Sequence, residues 1–360
     1  MRFNRNHRRC TITGRPIYLD HAATTPVSAA ARAAMADGLA RWANPSSPHA
    51  PGRAARAVLE DARQRIARAL GWPHTLLFTS GASEAIAIAM TRTRVARRLV
   101  SAVEHDAVLR AADTDRIAVD AHGRVRLPDI GGDAPWLFAI QSANNETGVL
   151  QPLAALDERL RAAGHLLLAD CAQTAGKHPL PAADFIAVSA HKFGGPPGIG
   201  ALLVRDLATI VPSGGQEQGY RGGTENVPAA LGFAAALEEG DGWVADAATL
   251  RTRLEAGIVA AGGSVIARDA PRIATIGAYR LRGVAATSQL IRLDMAGIAV
   301  SAGSACSSGS LKPSHVLAAM GLDETAARET IRVSIGRETT AAEIDAFLAV
   351  YAGFARRAAA

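Results

Sequence analysis

The chain has 360 residues, enough for one large domain with a smaller partner or for two ordinary domains, and its 49% hydrophobic and 20% charged content excludes wholesale disorder. No segment approaches the roughly 18 consecutive apolar residues of a membrane span, and the basic stretch Met1–Cys10 lacks the apolar run of a secretory signal, so the expectation is a cytoplasmic globular protein. The net charge of +6 is scattered without a basic block, so neither nucleic acid nor a membrane is an expected partner.

Residues 1–15 read as a disordered extension. A helix is predicted over Gly52–Leu70, where Val58, Ala62, Ile66 and Leu70 recur at helical spacing and Gly71 and Pro73 end the pattern. Strands are predicted at Thr75–Thr79, Leu99–Val103, Trp136–Gln141, Gly164–Ala169, Phe185–Ser189 and Ile199–Val204. Several are almost continuously apolar, as strands buried on both faces of a parallel sheet are. Their alternation with helical patterns predicts an α/β domain with a mostly parallel central sheet. From about residue 246 the texture changes. A helix over Asp246–Ala260, with Asp246 as N-cap, leads to short strands at Ser264–Ala267 and Ile273–Tyr279 and a helix over Ser288–Met295. A strand at Ile331–Ile335 follows. The capping box Thr340-Ala-Ala-Glu343 then opens a last helix with Ile344, Phe347, Leu348, Tyr351 and Phe354 on one face. The expected division is a large domain over residues 16–245, of which the first ~12 could pack on the other unit, and a small α+β domain over 246–360.

Active sites of open α/β sheets gather at the carboxyl ends of the strands, and four polar features fall there. Lysine is scarce: Lys177, Lys192 and Lys312 are the three among 39 basic residues, so chemistry that needs a primary amine has few candidates. Lys192 stands between the strand Phe185–Ser189 and the turn Phe193-Gly-Gly-Pro-Pro-Gly198. It fits either an ordinary loop lysine or one that forms a Schiff base. Asp170 ends the Gly164–Ala169 strand, where it could pair with a protonated ring nitrogen or cap the next turn. Phe78-Thr-Ser-Gly-Ala-Ser-Glu84 carries a strand into a helix whose N-terminus suits a phosphate, with capping by Ser80 as the alternative. The nucleotide fingerprints GxxxxGK[ST] and GxGxxG are absent. His105 follows Leu99–Val103 and could stack on a ring, move a proton or face solvent. The three cysteines, Cys10, Cys171 and Cys306, have neither disulfide-scaffold nor metal spacing. Cys306, within Ser301-Ala-Gly-Ser-Ala-Cys-Ser-Ser-Gly-Ser310, reads as a nucleophile on a mobile loop or as an inert thiol. Lysine, carboxylate, phosphate turn and histidine in this order describe a pyridoxal phosphate site, with no metal.

The motifs Tyr18-Leu-Asp-His-Ala-Ala-Thr-Thr-Pro26, Asn44-Pro-Ser-Ser47, Phe78-Thr-Ser-Gly81, Glu104-His105, Asn144-Asn-Glu-Thr-Gly148, Ser189-Ala-His-Lys192, Arg221-Gly-Gly-Thr-Glu-Asn226 and Ser301-Ala-Gly-Ser-Ala-Cys306 run in order along nearly the whole chain. They resemble those of cysteine desulfurases of the NifS/IscS type, which are class V pyridoxal-phosphate-dependent aminotransferase relatives. The resemblance implies the type I transferase fold and a homodimer. Lys192 would hold the cofactor, Asp170 would pair with its ring nitrogen, Gln173 would bond its phenolic oxygen and His105 would stack on its ring. Ala82, Ser83, Ser189 and His191 would contact the phosphate, with Thr224 reaching in from the other subunit. Asn44, Asn145 and Arg332 would hold the substrate, Asn145 touching the cofactor as well. The implied reaction takes L-cysteine. Lys192 removes its α-proton, with His105 assisting as acid or base, and the Cys306 thiolate attacks its sulfur. Alanine leaves, and the persulfide on Cys306 goes to an acceptor protein such as an iron–sulfur scaffold or a thiolation factor. The alternatives are a class V enzyme of other specificity (a selenocysteine lyase or an aminotransferase) and an inactive binding subunit. The sequence departs from the family pattern at Cys171, Pro197, Gln218 and Tyr220. Cys171 reads as a small buried filler.

Overall fold

A computed structural model describes residues 16–111, 115–131, 135–303 and 313–358. The predicted N-terminal extension and Cys306 lie outside the described residues. In chain order the strands are β1 (Ile17–Tyr18), β2 (Thr75–Thr79), β3 (Arg97–Ser101), β4 (Asp115–Ile117), β5 (Trp136–Gln141), β6 (Leu166–Asp170), β7 (Phe185–Ser189), β8 (Gly200–Val204), β9 (Ser264–Val265), β10 (Ile276–Arg280), β11 (Ile298–Ala299) and β12 (Thr330–Ser334).

Seven of these form one sheet in the order β2-β8-β7-β6-β5-β3-β4. It is parallel from β7 to β4, while β8 runs antiparallel to both β7 and β2. Strands β7 and β8 are buried at every position, which is why their sequences are apolar throughout rather than alternating. Helices cover both faces. The longest of those in the first half, Ala50–Ala69, turns Ala55, Leu59, Ala62 and Ile66 inward at a spacing of three to four residues. Its N-cap is His49, whose ring accepts the Gly52 amide, and Pro51 occupies the first turn, where its missing N–H costs nothing. Strands β4 and β5 lie on opposite sides of β3, and β2, β5, β6 and β7 run in the same direction, so their carboxyl ends open onto a common crevice.

The remaining strands β12-β10-β9 form an antiparallel sheet. Helices Val244–Ala260, Ala286–Met295 and Ala341–Ala358 contribute Leu254, Ile258, Leu293, Phe347 and Tyr351 to a core shared with Tyr279 and Val333. Burying each large side chain here contributes about 1.5–3 kcal/mol. The capping box forms as predicted: the Thr340 amide donates to Glu343 Oε2 at 2.8 Å, and the Glu343 amide donates to Thr340 Oγ1 at 3.3 Å. Asp246 is not the N-cap of its helix. That helix starts at Val244 and places Asp246 in the first turn, where its charge favours the helix dipole.

The start of the chain joins the two sheets. β1 pairs in parallel with β11, and Ile17 and Leu19 sit in the same core as Tyr279 and Phe347. Beyond β1, the Ser334 amide donates to Leu19 O at 2.8 Å and the Ala22 amide to Ser334 Oγ at 2.8 Å. The Thr25 amide donates to His191 O at 2.8 Å. Residues 19–25 are thus clamped between β12 and the turn after β7. Among the described residues, no helix is long and apolar enough to cross a membrane, and no group of His, Cys, Asp and Glu is arranged to hold a metal ion.

Candidate active site

The crevice is a cavity of about 490 Å³ lined from both sheets. Strand β7 ends at Ser189 and passes into a short turn, Ala190–Lys192, which delivers the lysine. Lys192 Nζ donates to Ala22 O at 2.7 Å and Ala23 O at 2.9 Å, so carbonyls of the clamped segment hold the amine. Gln173 Nε2 donates to the same Ala22 O at 2.9 Å, while Gln173 Oε1 is buried without a partner. Asp170 closes β6, and its Oδ1 accepts the Ala172 amide at 2.9 Å. The turn-capping and ligand-pairing readings of this carboxylate are compatible, because Asp170 also lines the cavity. Burial pushes its carboxyl up, against the opposing pull of His105 and Lys192. His105 Nδ1 accepts the Ala107 amide at 3.1 Å, which leaves Nε2 to carry the proton of the neutral ring.

The turn after β2 completes this side. Helix Ala82–Arg92 begins behind Gly81, and no side chain caps it. The alternative, capping by Ser80, does not occur; its backbone amide donates to Glu84 Oε2. The first residues of the helix, Ala82 and Ser83, line the cavity with Ser189 and His191, and an uncapped helix start there is suited to an anion. Gly200 lets β8 press against this turn, because a Cβ there would come within 2.2 Å of Val188 O and 2.7 Å of Gly81 Cα. Burial, then Lys192 and Lys177, push the His191 imidazole down to about 4, so it meets an anion as a neutral donor.

Opposite Lys192, Arg332 rises from the middle of β12 and is 5% exposed. Its Nη2 donates to Asp20 Oδ1 at 2.8 Å and its Nη1 to Asn145 O at 3.0 Å, and its Nε is buried without a partner. This ion pair lies within the crevice, with the Arg332 side chain 6% exposed. Asn145 lines the same wall.

The cavity therefore brings together Lys192, Asp170, Gln173, His105, Ala82, Ser83, Ser189, His191, Asn145 and Arg332. Asn44 is not among them. It is exposed, and its Oδ1 is taken by the Ser46 amide at 2.8 Å. Thr224 is likewise exposed and lines no part of this chain's cavity. Its loop is tied to the anion-binding turn by Arg221, whose Nε lies 3.0 Å from Glu84 Oε1. The same loop carries Gln218, which adopts a left-handed φ of 58° just after Glu217 at 48°. Glu217 anchors it there, accepting from both terminal nitrogens of Arg63 (2.6 and 3.0 Å) and from the Phe78 amide at 2.8 Å. Pro197 lines the cavity, and Cys171 lies in the core with its thiol pushed up to about 12 by burial. On either side of residues 304–312 the described chain is held to this site. Ser301 pairs with Arg332 through two backbone hydrogen bonds (2.7 and 3.2 Å), and Ser314 Oγ donates to Glu146 Oε2 at 2.5 Å. Sequence reasoning missed Asp20 and the carbonyls of Ala22 and Ala23. Their signal was the Tyr18–Pro26 motif, which had no chemical role to attach to it.

Residues 17–347 match the family model for class-V aminotransferases. A cysteine desulfurase of Frankia sp. (strain EuIK1) is 39% identical, covering 91% of this chain and 88% of its own length. An IscS-like cysteine desulfurase of Mycobacterium tuberculosis is 37% identical, with 95% and 96% covered. The X-ray structure of a NifS-like protein from Rickettsia africae superposes with a TM-score of 0.85 at 29% identity, covering 93% of this chain and 98% of that one. The fold and site thus define a class V aminotransferase relative, and the chain belongs to the cysteine desulfurases within that family.

Proposed function

We propose that this chain takes sulfur from L-cysteine in the cavity between Lys192 and Arg332, releasing alanine and leaving a persulfide on Cys306. The observation that carries the reading is the convergence of Lys192, the buried Asp170 and an uncapped helix N-terminus on one cavity. These groups also fit pyridoxal phosphate, the cofactor of the family. Asp170 is a buried carboxylate able to pair with a ring N–H, and Gln173 Nε2 has a second N–H beyond the one given to Ala22 O. The amides after Gly81, with Ser83, Ser189 and neutral His191, suit a phosphate. When bound, the cofactor supplies an electron sink for the pair left at Cα.

The chain's own residues divide the remaining work. Arg332 orients the substrate by its carboxylate, for which its unpartnered Nε supports the assignment, with Asn145 alongside. Lys192 would hold the cofactor by its aldehyde, and its Nζ would take the α-proton of the substrate. His105, whose Nδ1 is engaged, works through Nε2 as acid or base. The Cys306 thiolate then attacks the substrate sulfur. An S–S bond forms, the Cβ–S bond breaks with its electron pair staying on carbon, and protonation of that carbon, with return of a proton from Lys192 Nζ to Cα, gives alanine. The described residues that flank the Cys306 segment, Ser301 and Ser314, are bonded to Arg332 and Glu146.

The proposal includes a homodimer in which Thr224 completes the partner's phosphate site, since it is exposed on a loop linked to the anion-binding turn. It also includes the division at residue 245/246, a cytoplasmic location and a protein acceptor such as an iron–sulfur scaffold or thiolation factor. The test is alanine formation from L-cysteine by the purified chain, with the visible absorbance of the lysine-bound cofactor followed in parallel. Lys192→Ala should lose both. Absorbance that survives in Lys192→Ala would remove Lys192 from its assigned place.

A further inference from the structure

The mechanism leaves one buried amine unused. Lys177 is 6% exposed, on the turn that follows β6 and Gln173. Among the described residues its amine has neither hydrogen bond nor ion pair. It lines a second cavity, of about 430 Å³, in which Lys192 also takes part. The charged groups around that cavity come from every neighbouring element: His21 after β1, Arg32 on helix Ala29–Leu39, Glu239 behind helix Val227–Glu238, and Arg337 and Glu338 after β12. His178 and Asp241 flank Lys177 on its other side. Glu239 is turned to Arg337, 3.5 Å away, and neither it nor Glu338 pairs with Lys177. His21 Nδ1 is buried without a partner, and burial followed by Lys177 pushes its imidazole down to about 4. With both His21 and His191 neutral, Lys177 and Lys192 carry the amine charge at this junction, beside the guanidiniums of Arg32 and Arg337.

A buried ammonium without a counter-ion is costly, and a second positive charge near it raises that cost. Burial first and Lys192 second push the Lys177 amine down to about 7. We propose that Lys177 is a positioning residue that shares a single positive charge with Lys192, staying neutral while Lys192 is cationic and taking up a proton when Lys192 becomes neutral. Lys192 must lose a proton to bond to a carbonyl carbon. In this scheme that proton leaves Lys192 Nζ and a proton is gained at Lys177 Nζ, so the pair keeps one charge throughout. The inference rests on the reading of Lys192 as the cofactor-binding lysine.

Because the chain has three lysines, side-chain NMR of the full-length protein labelled with [13Cε]lysine yields few signals to assign. The Lys177 signal should titrate near pH 7 in the wild-type chain freed of cofactor, the state in which all the titrations are run. In Lys192→Met its midpoint should rise by about one pH unit, the effect of removing a neighbouring unit charge at an effective dielectric of ~20. In Lys192→Arg, which keeps the charge, it should stay low. A wild-type midpoint near ~10, the ordinary lysine value, overturns the proposal without requiring any variant to fold. So does the same midpoint in Lys192→Met and Lys192→Arg. Lys177→Met should also slow the appearance of the visible band on adding pyridoxal phosphate at pH 7, by roughly tenfold, and an unchanged rate overturns the positioning role. Retention of that band in Lys192→Ala would instead overturn the assignment of Lys192, leaving the NMR titrations to judge the charge sharing separately.

Discussion

Replacing Arg332 by alanine removes the group assigned to the substrate carboxylate and leaves a specific signature. In the structure the guanidinium donates to Asp20 and Asn145 and has a buried Nε with no partner. A substrate carboxylate satisfies that donor and competes for the Nη2 now held by Asp20. A charge-assisted hydrogen bond contributes about 1.5–3 kcal/mol, so loss of the arginine should weaken L-cysteine binding by about 3 kcal/mol, roughly 150-fold. The assay is the spectral change of the holoenzyme on titration with L-cysteine and with cysteamine, which has the amine and thiol but no carboxylate. Wild type should prefer L-cysteine by about two orders of magnitude, whereas Arg332→Ala should bind both equally weakly. Arg332→Lys should recover part of the preference, because it restores charge but not the planar fork. A variant that still prefers L-cysteine as strongly as wild type would refute the assignment.

Three further outcomes follow from burial and pairing. Cys171→Ala should retain alanine and persulfide formation, since the thiol is a buried filler held protonated; loss of activity in a folded variant would give it a role. Glu217→Gln should lower stability by about 3 kcal/mol in urea unfolding, because it leaves the Arg63 guanidinium without its buried carboxylate; an unchanged midpoint would show that the pair contributes little. For Lys177 the folded value of about 7 lies below the ordinary 10.5, so the unfolded chain binds more protons between those values and stability rises with pH across that window. Between pH 7 and pH 9 the gain should be about 2 kcal/mol, and Lys177→Met should lack it.

Much of this site was legible in the sequence because its parts sit at strand ends. Strands β2, β6 and β7 announced themselves as apolar runs, and the residues at their ends (the Gly81 turn, Asp170, Lys192) fell where open sheets place ligands. Strand β3 began two residues earlier than its apolar run, since Arg97 and Arg98 pair in the ladder and Arg97 covers the Trp136 ring. Edge strand β4 buries Ile117 alone of its three residues, and β1 and β11 have two residues each, too few to show a period. Contacts that bridge distant segments left no local trace. Asp20 meets Arg332 across 312 positions, and the Ala22 carbonyl meets Lys192 across 170. The isolation of Lys177 is equally invisible in a string of letters, because it depends on which acids do not reach it.

The central claim is that sulfur leaves L-cysteine as a persulfide on Cys306. Incubating the holoenzyme with [34S]cysteine, without reductant, and mapping the label by peptide mass spectrometry tests it directly. One labelled sulfur should appear on the peptide containing Cys306, with alanine released in equal amount, and Cys306→Ala should carry no label while keeping the visible absorbance of the bound cofactor. Labelled sulfur on Cys171, or alanine and sulfide still released at the wild-type rate by Cys306→Ala, would contradict it.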